Sequence, residues 1–344
     1  MPSGDGLGGW LQRLCRMVRW PPGWPPRRPD AEGWGKTAPQ GHYPRIGLAL
    51  GGGGVRGAAH IGVLQYFRER GIEPAALSGT SAGAIVAAMY GAGLSPEEML
   101  SALTHLDKRA VFDLTFSRLQ LVTLGTRLLL QVLDPSLNRG WRPPRGLLRG
   151  DGFERWFASL IGERRFDDLR CPVYVAATDL QTAETVIFGG AAHAPAEGAA
   201  GFTYISDVPV HAAVRASIAI PLLFEPKLLH GRTLVDGMVT EPVPAEILRL
   251  LGLDVVVAVD LGLGGPTAQT FEGLADVFGR AIAIGGQKIT QTRISPFADC
   301  VIQPEIEAAA LTEVGRIPEF AASGRRAAAA AWPQIEEKVA AGRA

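Results

Sequence analysis

The sequence predicts an α/β fold in which helices cover both faces of a mostly parallel sheet. Short apolar runs that end in glycine or polar residues recur along the chain, and helical patterns alternate with them. This alternation is typical of parallel sheets buried on two sides. With 344 residues, of which 47% are hydrophobic and 20% charged, the chain is long and apolar enough for a large core.

The predicted elements begin at residue 46. Ile46–Leu50 is a buried strand, because five apolar residues lead directly into glycine. The next pattern predicts a helix over Ala58–Arg70 that Gly71 ends. A short strand over Ala75–Leu77 and a small-residue helix over Ser81–Gly91 follow. Further strands are predicted at Pro172–Thr178, Glu184–Phe188 and Asp254–Asp260.

Composition divides the chain into three parts. Residues 1–43 form a tail rich in Trp, Pro and Arg, in which prolines exclude regular structure over Trp20–Pro29. Residues 44–304 form the α/β domain, with a variable insertion over about 115–150 that includes an apolar helical piece, Leu119–Leu133. Residues 305–344 are alanine-rich and predict a helical C-terminal extension packed on the domain.

Charge and cysteine content exclude several functional classes. The 34 Lys+Arg balance 34 Asp+Glu, which argues against a nucleic-acid partner. The three widely spaced cysteines form neither a disulfide framework nor a zinc site, so a reducing, cytoplasmic location is expected. The sequence contains no run of 18 or more uncharged apolar residues, so no membrane-spanning helix is predicted. We expect no metal and no cofactor.

The tail has one pattern that suggests a partner. Apolar residues recur at helical spacing over Leu7–Val18, with Arg13, Arg16 and Arg19 largely off that stripe. Such a segment suits the surface of an anionic membrane, which would place the protein peripherally at the inner face. The alternative is a disordered tail whose apolar residues dock on the protein's own surface.

Two glycine motifs follow the first two strands. The first gives a loop that suits an anion, because backbone N–H groups there converge at a helix start; its candidate members are Gly52, Gly53, Gly54, Arg56 and Gly57. The second, Gly79-Thr80-Ser81-Ala82-Gly83, is a G-x-S-x-G elbow that exposes a serine hydroxyl. Two nucleotide-binding alternatives for the first motif are disfavoured. A dinucleotide site would need an acidic residue after the second strand to bind the ribose, and a Walker loop would need Lys-Ser/Thr after the glycines; the sequence has neither. Together the motifs favour an oxyanion hole beside a nucleophile.

The serine requires a general base. In α/β-hydrolases the triad follows the chain order Ser, Asp, His, and none of the six histidines here occupies the last of these positions. His60, on the first helix, is interpreted as a packing or capping residue. Asp236, followed by Gly237, ends an apolar run and is the carboxylate alternative. Asp179 is interpreted as closing a turn, and Ser217, which lacks flanking glycines, as a helix residue near the site.

Five ordered blocks carry a family resemblance: LALGGGGVRGAAHIGVL, GTSAGA, ATDLQTAETVIF, AVRASIAIPLLFEP and LVDGMVTEPVP. On these the sequence resembles the bacterial patatin-like phospholipases, over about residues 44–260. The resemblance implies a patatin-like three-layer fold and a Ser–Asp dyad, with Ser81 as nucleophile and Asp236 as proton acceptor. It also assigns Gly52, Gly53, Gly54 and Arg56 to the oxyanion loop. Met238 departs from the family pattern, which has Gly or Ala after Asp-Gly.

The resemblance therefore implies hydrolysis of fatty-acyl esters in phospholipid, lysophospholipid or another lipid. The Ala82 N–H would add to the oxyanion hole, and Arg56 would either meet a lipid phosphate or form a salt bridge. An acyltransferase or thioesterase using the same dyad remains open, as does a catalytically silent lipid-binding regulator.

Overall fold

The computed structural model describes residues 44–107, 144–196, 201–262, 273–307 and 313–341, together with 111, 113–115, 133–134 and 265. These residues belong to one compact unit, His42–Ala344. The tail of residues 1–43 and most of the predicted insertion, including the helical piece Leu119–Leu133 except for its last residue, lie outside the described residues. The three-part division of the chain remains a prediction.

A nine-stranded sheet forms the centre of the described structure. Its strands are β1 (Ile46–Leu50), β2 (Ala76–Thr80), β4 (Val173–Asp179), β5 (Thr185–Phe188), β6 (Phe202–Ile205), β8 (Lys227–Leu229), β9 (Arg232–Asp236), β10 (Val255–Val259) and β11 (Cys300–Ile302). Their order in the sheet is β11-β10-β1-β2-β4-β5-β6, with β9 paired to β4 and β8 paired to β9. The five strands from β11 to β4 are parallel. β5 and β9 pair antiparallel with β4, β8 pairs antiparallel with β9, and β6 pairs parallel with β5. The mostly parallel sheet is as predicted. A separate parallel pair joins β3 (Gly146–Leu148) to β7 (Leu222–Phe224).

Helices cover both faces of this sheet. They are α1 (Ala58–Glu69), α2 (Ala82–Gly91), α3 (Pro96–Thr104), α4 (Asp151–Ile161), α5 (Val210–Ser217), α6 (Ala245–Leu250), α7 (Leu274–Arg293) and α8 (Ile317–Ala341). Ile46, Leu48 and Leu50 of β1 face a larger core that contains residues of α1, α2 and α8. Ala49, on the opposite face of β1, packs in a smaller core with α6. The alternation along one strand thus produces the predicted three layers.

The C-terminal helix lies directly against α1. A Cβ atom at Gly62 would overlap the carbonyl of Ala321, and one at Gly324 would overlap the carbonyl of Ala59. The two backbones therefore approach as closely as glycine permits. Trp332 closes the contact, since its ring packs edge-on against Phe67 with 5.4 Å between ring centroids. This pairing stabilises the helix that follows the glycine loop.

The fold brings the glycine loop and the serine motif to one edge of the sheet. β1 and β2 are adjacent and parallel, with Leu50 in register with Gly79, so their carboxyl ends lie together. β9 runs antiparallel to β4, with Asp236 opposite Ala177. In open α/β sheets, ligand sites form outside the carboxyl ends of the parallel strands. This edge is therefore where a functional site is expected.

Candidate active site

Ser81 occupies a strained turn between β2 and α2. Its backbone has φ 54° and ψ −119°, in the region that side-chain-bearing residues rarely adopt. The turn requires small neighbours: a Cβ atom at Gly79 would overlap the backbone of Gly83, and one at Gly83 would overlap the carbonyl of Leu50. The G-x-S-x-G motif thus folds as the elbow that its sequence predicts, with Ala82 at the start of α2.

Asp236 ends β9 with its side chain almost fully buried. Its Oδ1 accepts a hydrogen bond from the Met238 N–H at 2.9 Å, across the turn that starts at Gly237. Within the described part of the chain no donor completes a hydrogen bond to Oδ2, although the Ser81 side chain lies close enough to the carboxylate to lower its pKa. One carboxylate oxygen is therefore fixed by backbone, and the other is free to accept a proton.

Burial dominates the electrostatics of Asp236. It raises the pKa of the carboxyl to about 7, while the hydrogen bond from the Met238 N–H and the nearby Ser81 side chain act in the opposite direction. Because no cation among the described residues is paired with this carboxylate, its charged form loses hydration and gains little stabilisation in exchange. A carboxyl that titrates near neutrality is suited to act as a general base at the pH of the cell.

The glycine loop lies on the other side of Ser81. Gly51 and Gly52 use their N–H groups within the fold, donating to the carbonyls of Val259 and Pro242 at 3.0 and 3.1 Å. The N–H groups of Gly53 and Gly54 have no acceptor among the described residues. Among the glycines predicted for the oxyanion loop, Gly53 and Gly54 therefore keep a free backbone donor, whereas the amide of Gly52 is already used by the Pro242 carbonyl. The assignment of an oxyanion hole to this loop stays a prediction.

The remaining members of the loop pack it against both helices. A Cβ atom at Gly57 would overlap that of Ala82, so this glycine allows α1 and α2 to approach each other. Arg56 is half-buried, and its Nε has no hydrogen-bond partner within the described structure. Burial lowers the pKa of the Arg56 guanidinium. The salt bridge considered for Arg56 is not formed with any described residue.

His60 is a structural residue, in agreement with its interpretation from sequence. It is fully buried on α1, and its Nε2 lies 2.7 Å from the Gly51 carbonyl oxygen, which can only accept. Burial lowers the pKa of His60 to about 4, so the ring is neutral at pH 7. His60 therefore holds the start of the glycine loop.

Sequence reasoning missed a segment that connects the two motifs. Carbonyls of residues 241–244 accept hydrogen bonds from the Thr80 and Ser78 hydroxyls of β2, at 2.7 and 2.5 Å, and from the Gly52 N–H. The polar residues of β2 were a signal for such partners, since buried hydroxyls are normally hydrogen-bonded. The segment fixes the elbow and the glycine loop relative to each other.

An apolar cavity of about 120 Å³ opens beside Ser81. Gly54, Gly57 and Ala82 contribute to its wall next to the serine. The rest of the wall comes from apolar side chains of several helices and of β7, among them Ile85, Val86, Leu103, Phe153, Trp156 and Phe224. A cavity with such an apolar wall favours the binding of a hydrocarbon group. No described group of His, Cys, Asp and Glu side chains is arranged to hold a metal ion.

A mostly parallel α/β sheet that presents a serine on a strained elbow beside an apolar cavity is an arrangement typical of ester hydrolases. The chain belongs to the patatin-like phospholipase family, whose model matches residues 48–249. The recognition made from the five blocks is therefore confirmed.

The chain is similar to two curated relatives and to one solved structure. The chain is 33% identical over 218 residues to an uncharacterized NTE family protein of Mycobacterium tuberculosis, covering 63% of this chain and 49% of that protein. It is 27% identical over 265 residues to the human patatin-like phospholipase domain-containing protein 6, covering 76% of this chain and 16% of that protein. The chain thus spans about half the length of the mycobacterial relative. Legionella pneumophila VipD aligns with a TM-score of 0.41 at 16% identity, over 85% of this chain and 67% of that chain.

Proposed function

We propose that this protein is a serine lipid acyl hydrolase of the phospholipase A or lysophospholipase type. One observation carries the proposal: Ser81 lies on its elbow between the carboxylate of Asp236 and the apolar cavity. A nucleophile, a base and a hydrocarbon-binding wall are the three parts that ester cleavage in a lipid requires. Family membership supports lipid as the substrate class.

The proposed first step is acylation of Ser81. Its Oγ attacks the ester carbonyl while Oδ2 of Asp236 accepts the hydroxyl proton, and the carbonyl electrons move onto oxygen. The Gly53 and Gly54 amides, with the Ala82 N–H at the start of α2, are the donors available to that oxyanion. One such donor typically lowers the barrier by about 3–4 kcal/mol. Collapse of the intermediate expels the alcohol, which takes the proton from Asp236.

Deacylation repeats these roles with water. Asp236 accepts a proton as water attacks the acyl carbonyl, and Ser81 leaves with that proton restored. Throughout, the acyl chain occupies the cavity, where Phe153 and Trp156 exclude water from it. We propose that Arg56, half-buried at the glycine loop and without a partner for its Nε among the described residues, binds a phosphate of the head group.

An acyltransferase or thioesterase would form the same acyl-enzyme from a different donor or pass it to an acceptor other than water. A catalytically silent lipid-binding regulator would retain the cavity without forming the adduct. Product analysis separates the first pair from the hydrolase, since a transferase gives a new ester instead of a free acid. Covalent labelling separates the silent protein from all of them.

The test is labelling with a fluorophosphonate probe, peptide mapping of the adduct and lipid profiling of the products. We expect the adduct on Ser81, no adduct in Ser81→Ala, and free fatty acid from phospholipid or lysophospholipid. An adduct on Ser217, or labelling that persists in Ser81→Ala, would contradict the assignment.

We also propose that the enzyme is cytoplasmic and that its tail contacts the anionic inner face of the membrane. The support is the apolar stripe over Leu7–Val18 with arginines beside it. Among the described residues, no helix has the length and hydrophobicity to cross a bilayer. Each basic residue near an anionic surface contributes roughly 1 kcal/mol.

This membrane contact is tested in the full chain by replacing Arg13, Arg16 and Arg19 with Gln and measuring co-sedimentation with anionic vesicles. We expect salt-sensitive binding that weakens in the triple variant, with unchanged hydrolysis of a soluble short-chain ester. Equal binding by both proteins would leave the tail without this role.

A further inference from the structure

The segment that follows α5 touches both proposed catalytic residues. The Ser81 N–H donates to Oγ of Ser217, the last residue of α5, at 2.8 Å. Two residues later, the Ala219 carbonyl accepts a hydrogen bond from the Asp236 N–H at 3.0 Å. These two bonds reach Ser81 and Asp236 from a third part of the chain, which belongs neither to the elbow nor to β9. We define residues 217–220 as the clamp segment.

Hydrogen bonds to the end of α5 hold the clamp segment in place. Ser217 and Ala219 are fully buried, and the Ile218 and Ala219 N–H groups donate to carbonyls of α5, at Val214 and Ala216. The backbone of the segment is thus held by the end of its own helix. It is a fixed support, against which the amides of Ser81 and Asp236 are placed.

The bond to Ser81 has a specific consequence at the elbow. Ser81 is the N-cap residue of α2, so its N–H has no acceptor within the helix and needs a partner outside it. Ser81 is only 3% exposed, so water does not readily replace that partner. If the Ser217 hydroxyl were absent, the elbow would relieve its unpaired amide by relaxing toward unstrained φ, and Ser81 Oγ would move relative to Oδ2 of Asp236.

The same segment also forms part of the acyl cavity. Ile218 and Ile220, one residue on either side of Ala219, both line its wall beside Phe224. The clamp segment therefore contacts the nucleophile and the base and also forms part of the cavity wall, so it fixes the positions of all three relative to one another. Small displacements of reacting groups are costly, since about 1 Å of misplacement reduces rates by roughly a hundredfold.

We propose that Ser217 is a positioning residue, whose hydroxyl holds the Ser81 amide and thereby sets the nucleophile against Asp236. The proposal depends on the function proposed above for Ser81. It predicts that loss of the hydroxyl lowers the rate of attack without changing substrate affinity, because Ser217 does not line the cavity.

The test compares Ser217→Ala with Ser323→Ala in the full chain. Ser323 is the matched control: it is also buried in a helix, and its Oγ donates one hydrogen bond, to the Glu305 carbonyl at 2.6 Å, away from the elbow. The measurements are the melting temperature, kcat and KM on a soluble short-chain ester, and the rate of fluorophosphonate labelling. We expect similar decreases in melting temperature for both variants. Only Ser217→Ala should lose about tenfold to a hundredfold in kcat and in labelling rate, with KM unchanged.

Ser217→Cys and Ser217→Thr complete the series. Cysteine keeps the volume of the side chain and offers a weak acceptor, so we expect an intermediate rate, and this variant carries the test if Ser217→Ala does not fold. Threonine keeps the hydroxyl, and we expect a rate above that of the cysteine variant. The proposal is overturned if Ser217→Ala or Ser217→Cys labels as fast as Ser323→Ala, or if the loss is in KM. Wild-type protein that forms no adduct on Ser81 would instead contradict the proposed function.

Discussion

Two buried aspartates at neighbouring strand ends differ in their chemistry. Asp179 ends β4 and Asp236 ends β9, and their side chains are similarly inaccessible, at 1% and 2% exposed. Arg232 forms an ion pair with Asp179 at 2.7 Å, and the Gln181 N–H donates to its Oδ1 at 2.9 Å. No cation among the described residues forms an ion pair with Asp236.

This difference in partners reverses the direction of the pKa shift. Burial raises the pKa of both carboxyls, but at Asp179 the Gln181 N–H and the Arg232 guanidinium outweigh it and the pKa is lowered. At Asp236 burial prevails and the pKa is raised to about 7. A buried carboxylate with its charge neutralised supports the fold, whereas one without a cation is available to take a proton.

The largest expected effect is on activity, and it is confined to one aspartate. Asp236→Asn should lower kcat by about 10²–10⁴, the usual contribution of a general base, because an amide cannot take the Ser81 proton. Asp179→Asn is the matched control and should keep kcat within a few-fold. The comparison is measured by steady-state hydrolysis of a soluble ester, with circular dichroism to check the fold. Comparable losses in both variants would remove the distinction between the two carboxylates.

Stability should change in opposite directions. A carboxyl whose pKa is raised from 3.8 to about 7 favours the fold when protonated, so wild-type stability falls as pH rises from about 4 to 7, by about 1.4 kcal/mol per unit at most. At pH 8, Asp236→Asn should therefore be more stable than wild type. Asp179→Asn should be less stable there, because it removes the buried carboxylate that pairs with Arg232 and leaves only the longer contact of Arg232 with Glu184. The expected loss is about 1.5–3 kcal/mol, the usual net contribution of a hydrogen bond to a charged group.

Urea unfolding at pH 5 and pH 8 measures both changes. The gain of Asp236→Asn should be larger at pH 8 than at pH 5, since wild-type Asp236 is mostly protonated in the fold at the lower pH. A gain that does not depend on pH would show that Asp236 does not titrate in this window.

A smaller effect is expected at Met238, the residue that departs from the family pattern. A Cβ atom at Gly52 would contact the Met238 side chain, which therefore lies beside the glycine loop. Met238→Ala opens space there but keeps the N–H that binds Asp236 Oδ1. We expect a change in kcat/KM of a few-fold, measured on short-chain and long-chain esters, with the midpoint of the pH profile unchanged. A shifted midpoint would mean that the methionine side chain, and not its backbone, sets the pKa of Asp236.

Local patterns predicted the parts of the molecule that have local causes. The bounds of β1 and the elbow at Ser81 follow from apolar runs and from glycine spacing, and the Asx turn at Asp179 from its strand end. The strand predicted at Ala75–Leu77 was too short, because β2 continues through Ser78 and Thr80. The partners of these hydroxyls lie more than 160 residues away, at Pro244 and Glu241, and no local pattern shows them.

The finer geometry of the site has the same non-local origin. Two hydrogen bonds illustrate this: the Gly52 N–H donates to the Pro242 carbonyl, and the Ser81 N–H donates to the Ser217 hydroxyl. Each joins segments that are far apart in the sequence and meet only in the fold. Ser217 belongs to the block AVRASIAIPLLFEP, which predicts that it lies near the site. Its hydrogen bond with the Ser81 N–H is visible only in the folded structure. Residue types were predictable from motifs, whereas the roles of individual amides were not.

The central claim is that Asp236, and no histidine, activates Ser81. The most direct measurement is the rate of fluorophosphonate labelling of Ser81 as a function of pH, in wild type, Asp236→Asn and His60→Ala. Because the base must be ionised, we expect the wild-type rate to rise with pH to a plateau, with a midpoint near 7. His60→Ala should keep that midpoint, and Asp236→Asn should label slowly at every pH. A midpoint that persists in Asp236→Asn, or one that disappears in folded His60→Ala, would contradict the claim.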